Sequence, residues 1–294
     1  MDYVLARKII GGVRELPTLP CALNRLRQVL GNANSNNASV AAVIASDPCL
    51  TARALRVSNS AYYVVQKSCD IPKSVGQLGF AEISQIAGTV STCKTFEDDD
   101  AGRFDRVEFW RHSIAVAVVA RTIATQTGAA APSDAYTCGL LHDIGKVVLD
   151  QFLHEDFAKA LAKAAANEKS LIAAERETSQ IDHAIAGEMF ARAWRMPAPV
   201  IAAIRWHHVE RMERRGLAAS DEVIADIVRV ADAVAHELGI GASGCGAPPL
   251  QSAEAVKRLR VSDSALERIR VNAPPEIDRA SDALDLPKRS LAAR

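Results

Sequence analysis

Nearly every segment of this chain repeats its apolar residues at helical spacing, and the side chains that interrupt those apolar faces are mostly histidines and acids. His112, the pair His142-Asp143, His183, the pair His207-His208, and Asp232 all fall in helix-forming, apolar surroundings, and they take in five of the seven histidines. No stretch reads as a convincing strand. The expected fold is therefore all-α, with residues such as Leu23, Leu26, Val29 and Leu30 forming buried stripes. Imidazole and carboxylate in one buried place is the donor set of a borderline-to-hard transition metal. Any one of these residues alone reads as an ordinary hydrogen-bonded polar residue of a helix. Two adjacent polar pairs in buried-looking helices are not explained by packing.

Composition narrows the rest. The 294 residues suffice for one large domain or two ordinary ones. Lysine plus arginine balance aspartate plus glutamate at 35 each, so direct nucleic-acid binding is not expected. The basic runs Arg211 to Arg215 and Lys257 to Arg260 carry or adjoin acids and read as solvated helix faces. The six cysteines (Cys21, Cys49, Cys69, Cys93, Cys138, Cys245) include no CxxC pair and read as reduced residues of a cytoplasmic protein. Met1 to Leu16 reads as an amphipathic helix, not a secretory signal. The apolar stretch Ile114 to Ala120 is too short to span a bilayer, and no membrane partner is expected.

Punctuation divides the chain into residues 1–104, 105–240 and 241–294. Ser39 can cap a helix from Val40 to Ala45, and Asp47-Pro48 opens another that Ser58-Asn59-Ser60 ends. Ile71-Pro72 starts a short helix that Gly79 breaks, and Ala81 to Thr95 is helical again. The acidic Asp98 to Gly102 is the clearest interior boundary. Longer helices follow: Asp105 to Thr127, Ser133 to Phe152, Phe157 to Asn167, Leu171 to Thr178, Asp182 to Trp194, Ala198 to His207 and Asp221 to Leu238. Gly239 to Gly246 and Pro248-Pro249 form a linker. Small helices lie beyond it, one with a capping-box pattern at Ser264 to Glu267, and they are expected to fold back or to mediate association.

His142 and Asp143 diverge by roughly 100° on a helix, so both reach one site only if the helix crosses it or ends near it. Gly145 allows close approach of a neighbouring backbone. Lys146 lies one turn after His142 and could neutralise a bound anion. Glu108, one turn before His112, could orient it or reach the site. Asp232, among Ala and Val, needs a cation. Together these exceed what one tetrahedral zinc requires, and a pair of octahedral iron or manganese ions would use them all.

Leu140-Leu141-His142-Asp143-Ile144-Gly145-Lys146 resembles the signature of the HD superfamily of metal phosphohydrolases. Leu16-Pro17-Thr18-Leu19-Pro20, Ser46-Asp47-Pro48, Ser58-Asn59-Ser60-Ala61-Tyr62-Tyr63, Leu78-Gly79-Phe80, Phe109-Trp110-Arg111-His112-Ser113, Asp182-His183, Trp194-Arg195-Met196-Pro197 and Trp206-His207-His208 narrow the resemblance to the HDOD (HD-related output domain) family, over about residues 14–238. The resemblance implies an all-α bacterial signal-transduction protein, a multi-helical HD-type bundle with an N-terminal helical subdomain, often an output or scaffold module. By similarity to the HD-GYP cyclic-di-GMP phosphodiesterases, His112, His142, Asp143, His183, His207, His208 and Asp232 match metal ligands. Glu108 matches a further acidic ligand of three-metal versions, and Lys146 a phosphate-contacting lysine. His207-His208 is followed by Val209-Glu210-Arg211-Met212 and not by a Gly-Tyr-Pro motif, which counts against cyclic-di-GMP as substrate.

The leading expectation is thus a regulatory module that uses a metal, or a nucleotide-like phosphate ligand, to set its conformation for a signalling partner. The other is a metal-dependent phosphohydrolase acting on a nucleotide or cyclic dinucleotide, with Asp143 and Lys146 catalytic. No receiver, GGDEF or EAL segment is read, so input is expected from another chain or a small ligand. The Ser58 to Tyr63 motif reads first as a helix end packed on the metal-site half, and otherwise as a partner or ligand surface.

Overall fold

A computed structural model describes residues 15–60, 62–63, 67–90, 104–167, 170–214, 216–241, 253–282 and 286. Helix starts follow the local chemistry. Pro20–Gly31 (α1) begins with proline, which gives up an N–H that would be unpaired anyway. Asn37–Ile44 (α2) is capped by Asn36, whose side chain accepts from Ser39 N while the Ser39 hydroxyl accepts from Asn36 N. Ser39 is therefore the third residue of the capping box and not the cap expected from sequence. Pro48–Ser58 (α3) starts at Asp47, whose carboxylate accepts from Leu50 N at 2.7 Å. Asn59 closes it and ties down the following segment through Ser68 N and Ser68 O, at 2.7 and 2.9 Å. Ile71–Thr89 (α4) runs through both helices expected there, turning at Gly79, where φ is 72° and only glycine is unstrained.

Arg106–Thr127 (α5) is apolar nearly all round and is buried from Phe109 to Val119, apart from Arg111. Such a helix has to be central. Pro132–Leu141 (α6), Ala219–Glu237 (α12) and Asp263–Asp282 (α14) pack against it. The single helix expected from Ser133 to Phe152 is two. It stops at Leu141, Asp143 takes φ −100° and ψ 10°, and Ile144–Phe152 (α7) restarts in a new direction. His154–Asn167 (α8) and Leu171–Thr178 (α9) form a hairpin, and His183–Ala193 (α10) lies across α7. Ala198–Trp206 (α11) fills the space between α10 and α12. Ala253–Arg258 (α13) precedes α14, whose cap is Ser262, accepting from Ala265 N at 3.2 Å, two residues ahead of the box expected at Ser264.

One apolar cluster runs through the N-terminal, central and C-terminal stretches, from Leu16 through Trp110 and Val228 to Leu286. Polar ties cross the same seams. Trp110 Nε1 donates to Asp47 at 2.7 Å, Thr137 Oγ1 to Cys69 O at 2.9 Å, and Tyr136 OH to Ala45 O at 3.0 Å. The C-terminal helices do fold back, through Arg258 to Asp226 and Arg270 to Glu237. Arg214 is no solvated basic residue: it is buried and donates to Asp226 at 2.9 Å. Cys21, Cys49, Cys69 and Cys138 form no disulfide. No helix among the described residues is long and apolar enough to cross a membrane. The expected N-terminal amphipathic helix up to residue 14, the Asp98 to Gly102 boundary, Cys93, Cys245 and the linker beyond Gly241 lie outside the described residues.

Candidate metal centre

The break between α6 and α7 builds the site. On a continuous helix His142 and Asp143 would point apart; the non-helical turn at Asp143 brings both side chains inward. The new direction is fixed by contact with α10. A Cβ on Gly145 would lie 1.9 Å from His183 O and 2.7 Å from Gly187 N, so only glycine lets α7 reach α10 at this point. That approach sets His183 beside Asp143. Asp182 caps α10, accepting from Ile185 N at 2.8 Å, which leaves His183 in its first turn facing the gap.

Asp143 is the common member. Its Oδ2 lies 3.3 Å from His142 Nε2, 4.0 Å from His112 Nε2 and 2.5 Å from Lys146 Nζ. Its Oδ1 lies 3.3 Å from His183 Nε2 and 3.5 Å from His207 Nε2. His208 Nε2 faces His183 Nε2 at 3.1 Å. On the other side Asp232 Oδ1 is 3.0 Å from His112 Nε2, 3.3 Å from His236 Nε2 and 3.8 Å from His142 Nε2. Donor atoms thus converge in overlapping groups: Asp143 with His183, His207 and His208; His112 with His142 and Asp143; His112 with Asp232 and His236.

The proton positions fit a cation. His142 Nδ1 faces Gly139 O at 2.7 Å, and His207 Nδ1 faces Ala203 O at 3.0 Å. A carbonyl can only accept, so these nitrogens carry the proton, and in the neutral rings Nε2 is a lone pair aimed into the site. His183 Nδ1 likewise donates to Glu175 Oε2 at 2.7 Å. His142 Nε2, His207 Nε2 and Asp143 Oδ1 are buried with no hydrogen-bond partner. Lone pairs gathered around a carboxylate repel one another, and a divalent ion removes that cost.

The charges point the same way. Burial pulls His142 and His183 down, but the carboxylates of Asp143 and Glu175 respectively outweigh it and raise both above the ordinary imidazole value. Burial pushes Asp143 up, yet His142 and Lys146 hold it well below the usual carboxylate range. Asp232 is held low against burial by His112 and His236. Burial keeps His207 low and, with His207 and His183 beside it, His208 well below its ordinary value. His112 falls to about 4.

Seven of the nine residues expected from sequence, His112, His142, Asp143, His183, His207, His208 and Asp232, have donor atoms in these groups, and Lys146 pairs with their shared carboxylate. Glu108 is not among them; its carboxylate lies 3.4 Å from the Arg111 guanidinium. Two residues of the centre escaped sequence reasoning. His236, one turn after Asp232 on α12, was legible from that spacing. Glu175, fully buried and orienting His183 from α9, was not, because it sits in a polar run on another helix.

An all-α bundle with a buried His/Asp cluster able to hold metal ions is the class that fold and site define. The HDOD domain matches residues 16–210, and the chain belongs to that family. The response regulator MmoQ of Methylococcus capsulatus is 24% identical, with a TM-score of 0.68 over 89% of this chain and all of that one. An HDOD domain protein of unknown function from Geobacter sulfurreducens is 26% identical, with a TM-score of 0.55 over 96% of each chain. An uncharacterized protein of Treponema pallidum is 28% identical over 69% of this chain, and the match spans 40% of that relative's length.

Proposed function

We propose that this chain is a bacterial, cytoplasmic signal-transduction module whose His/Asp centre binds divalent iron or manganese. Metal binding, or binding of a nucleotide-like phosphate ligand, sets its conformation for a signalling protein partner. One observation supports the regulatory reading above the hydrolytic one. His112, His142 and Lys146 are 0% exposed, and Asp143, His183, His207 and Asp232 no more than 2%. Ligands this deep, with His208 and His236 at a partly exposed edge, suit small ions, whereas a dinucleotide needs an open face. Lys146 is held against Asp143 and not directed outward.

Asp143, His183, His207 and His208 would hold one ion, and His112, His142 and Asp232 another, with Asp143 shared. Divalent ions there would polarise phosphoryl oxygens and lower the pKa of water. The chain's own contribution is to fix the imidazole tautomers, through Gly139 O, Ala203 O and Glu175, and to exclude solvent. The second reading, a metal-dependent phosphohydrolase, is favoured by the completeness of the donor set around a carboxylate that reaches both groups.

Elemental mass spectrometry of protein purified anaerobically, without chelator or affinity metal, is expected to find about two iron or manganese ions per chain. His142→Ala is expected to lose them. A well-folded wild type without metal would sink the metal reading. Nucleotides and cyclic dinucleotides then separate the alternatives. Turnover that vanishes in Asp143→Ala with the fold intact would make the chain a hydrolase; bound metal without turnover supports the regulatory module.

A further inference from the structure

Away from the His/Asp centre, a cavity of about 720 Å³ opens where the N-terminal half, α5 and α6, and α14 meet. Its volume lies inside the range of small-molecule sites, roughly 300–1,000 Å³. The N-terminal half supplies an apolar floor that includes Ala42, Ala45 and Ile71. The rim is polar: Arg121 from α5, Ser133 and Tyr136 from α6, Arg279 from α14. Such a division of surfaces suits a ligand with an apolar body and one polar end.

The sign of that end follows from the charges. Arg121 Nη2 donates to Glu276 Oε2 at 3.0 Å, so that pair cancels. The charge left over is that of Arg279, which makes no ion pair among the described residues. Ser133 stands in the first turn of α6, where Ala131 gives no side-chain cap and Pro132 no N–H. The first N–H groups of that helix carry a partial positive charge, with Asp134 in the same turn. Tyr136 is fixed as a wall, its hydroxyl donating to Ala45 O and the Arg121 guanidinium lying 5.4 Å from its ring centroid.

We infer that this cavity binds a small organic anion, with its carboxylate, sulfonate or phosphate at Arg279 and Ser133 and its body over the apolar floor. The three stretches of the chain share the lining, so an occupant braces them together. Two of the helices involved continue to the metal centre. Along α5, Arg121 and His112 are about 13 Å apart, and His142 follows Tyr136 by about 9 Å along α6. The site would then be the input of the module, a role that rests on the regulatory reading; the site itself does not.

Isothermal titration of the whole chain with 8-anilinonaphthalene-1-sulfonate tests it, beside the uncharged N-phenyl-1-naphthylamine, which keeps the rings and lacks the anion. About one equivalent of the sulfonate is expected to bind. Affinity should fall about tenfold or more in Arg279→Glu. Binding of the uncharged probe should be unchanged in Arg279→Glu, and Ala280→Trp, which fills the rim from α14, should weaken both probes. Thermal unfolding of each variant verifies the fold. No binding of the sulfonate by wild type, or binding that neither substitution weakens, would overturn the site, as would equal losses for both probes in Arg279→Glu. Metal content is read separately on the same samples. A metal-free protein that passes the titration loses only the metal reading, and a metal-bearing protein that fails it loses only this site.

Discussion

Asp143 and Lys146 are buried together at 2.5 Å, with side-chain exposures of 2% and 0%. A buried ammonium that loses its carboxylate is costly, whereas replacing both charges by apolar or neutral groups costs little. Asp143→Asn should therefore destabilise the metal-free protein by about 3 kcal/mol in urea unfolding, and Asp143→Asn with Lys146→Met should recover most of it. Equal losses in the single and double variants would mean that the pair does not carry the cost. His112 gives a second prediction. Burial outweighs Asp232 and pushes its imidazole from 6.5 down to about 4. Between those values the unfolded chain binds a proton that the folded chain refuses, so the contribution of His112 is whole above 6.5 and is lost as the pH falls toward 4. The loss is on the order of 3 kcal/mol. Metal-free His112→Gln should lose less stability than wild type on acidification through this window, and parallel curves would contradict the assignment. Most of the centre was legible at this scale because polar residues inside apolar helical faces stand out. Glu175 did not stand out, since its environment is made by a neighbouring helix and its own segment is polar.

Helix starts were readable where a proline opens the first turn, as at Asp47-Pro48 and Ile71-Pro72, and were misplaced by two or three residues at the caps Ser262 and Asn36. The break at His142-Asp143 was not. It contains no proline, and one residue with non-helical dihedrals leaves the apolar period of Ser133 to Phe152 nearly intact. Its cause is tertiary: α7 must turn to lie on α10. Gly145→Ala puts a methyl group against His183 O and Gly187 N, backbone atoms that cannot rotate away. The expected cost is about 3 kcal/mol or more, with a loss of metal retention in the fraction that folds. Thermal unfolding and metal content read the two effects, and a stable, metal-bearing Gly145→Ala would show that the crossing can open.

That the N-terminal, central and C-terminal stretches share one apolar core was not legible from composition, because side-chain ties across a seam leave no periodic trace. Trp110 is fully buried with its indole N–H on Asp47, and Thr137 donates across the same seam to Cys69 O. A fragment of residues 105–241 would expose that face. Alone it should show helical far-ultraviolet dichroism without the near-ultraviolet signal of packed tryptophan, and regain that signal when residues 15–104 are added. A fragment with full near-ultraviolet signal would show that the metal-site half is self-sufficient. The crossing at Gly145 also bears on descent. Metal ligands can be exchanged in concert for neutral or apolar residues of similar volume while the helices stay where they are. The glycine cannot be exchanged, because the backbone of α10 occupies the space a side chain would need. A lineage that abandoned the metal would shed its histidines and keep this glycine, so the residue with no side chain would outlast the ligands as the record of ancestry.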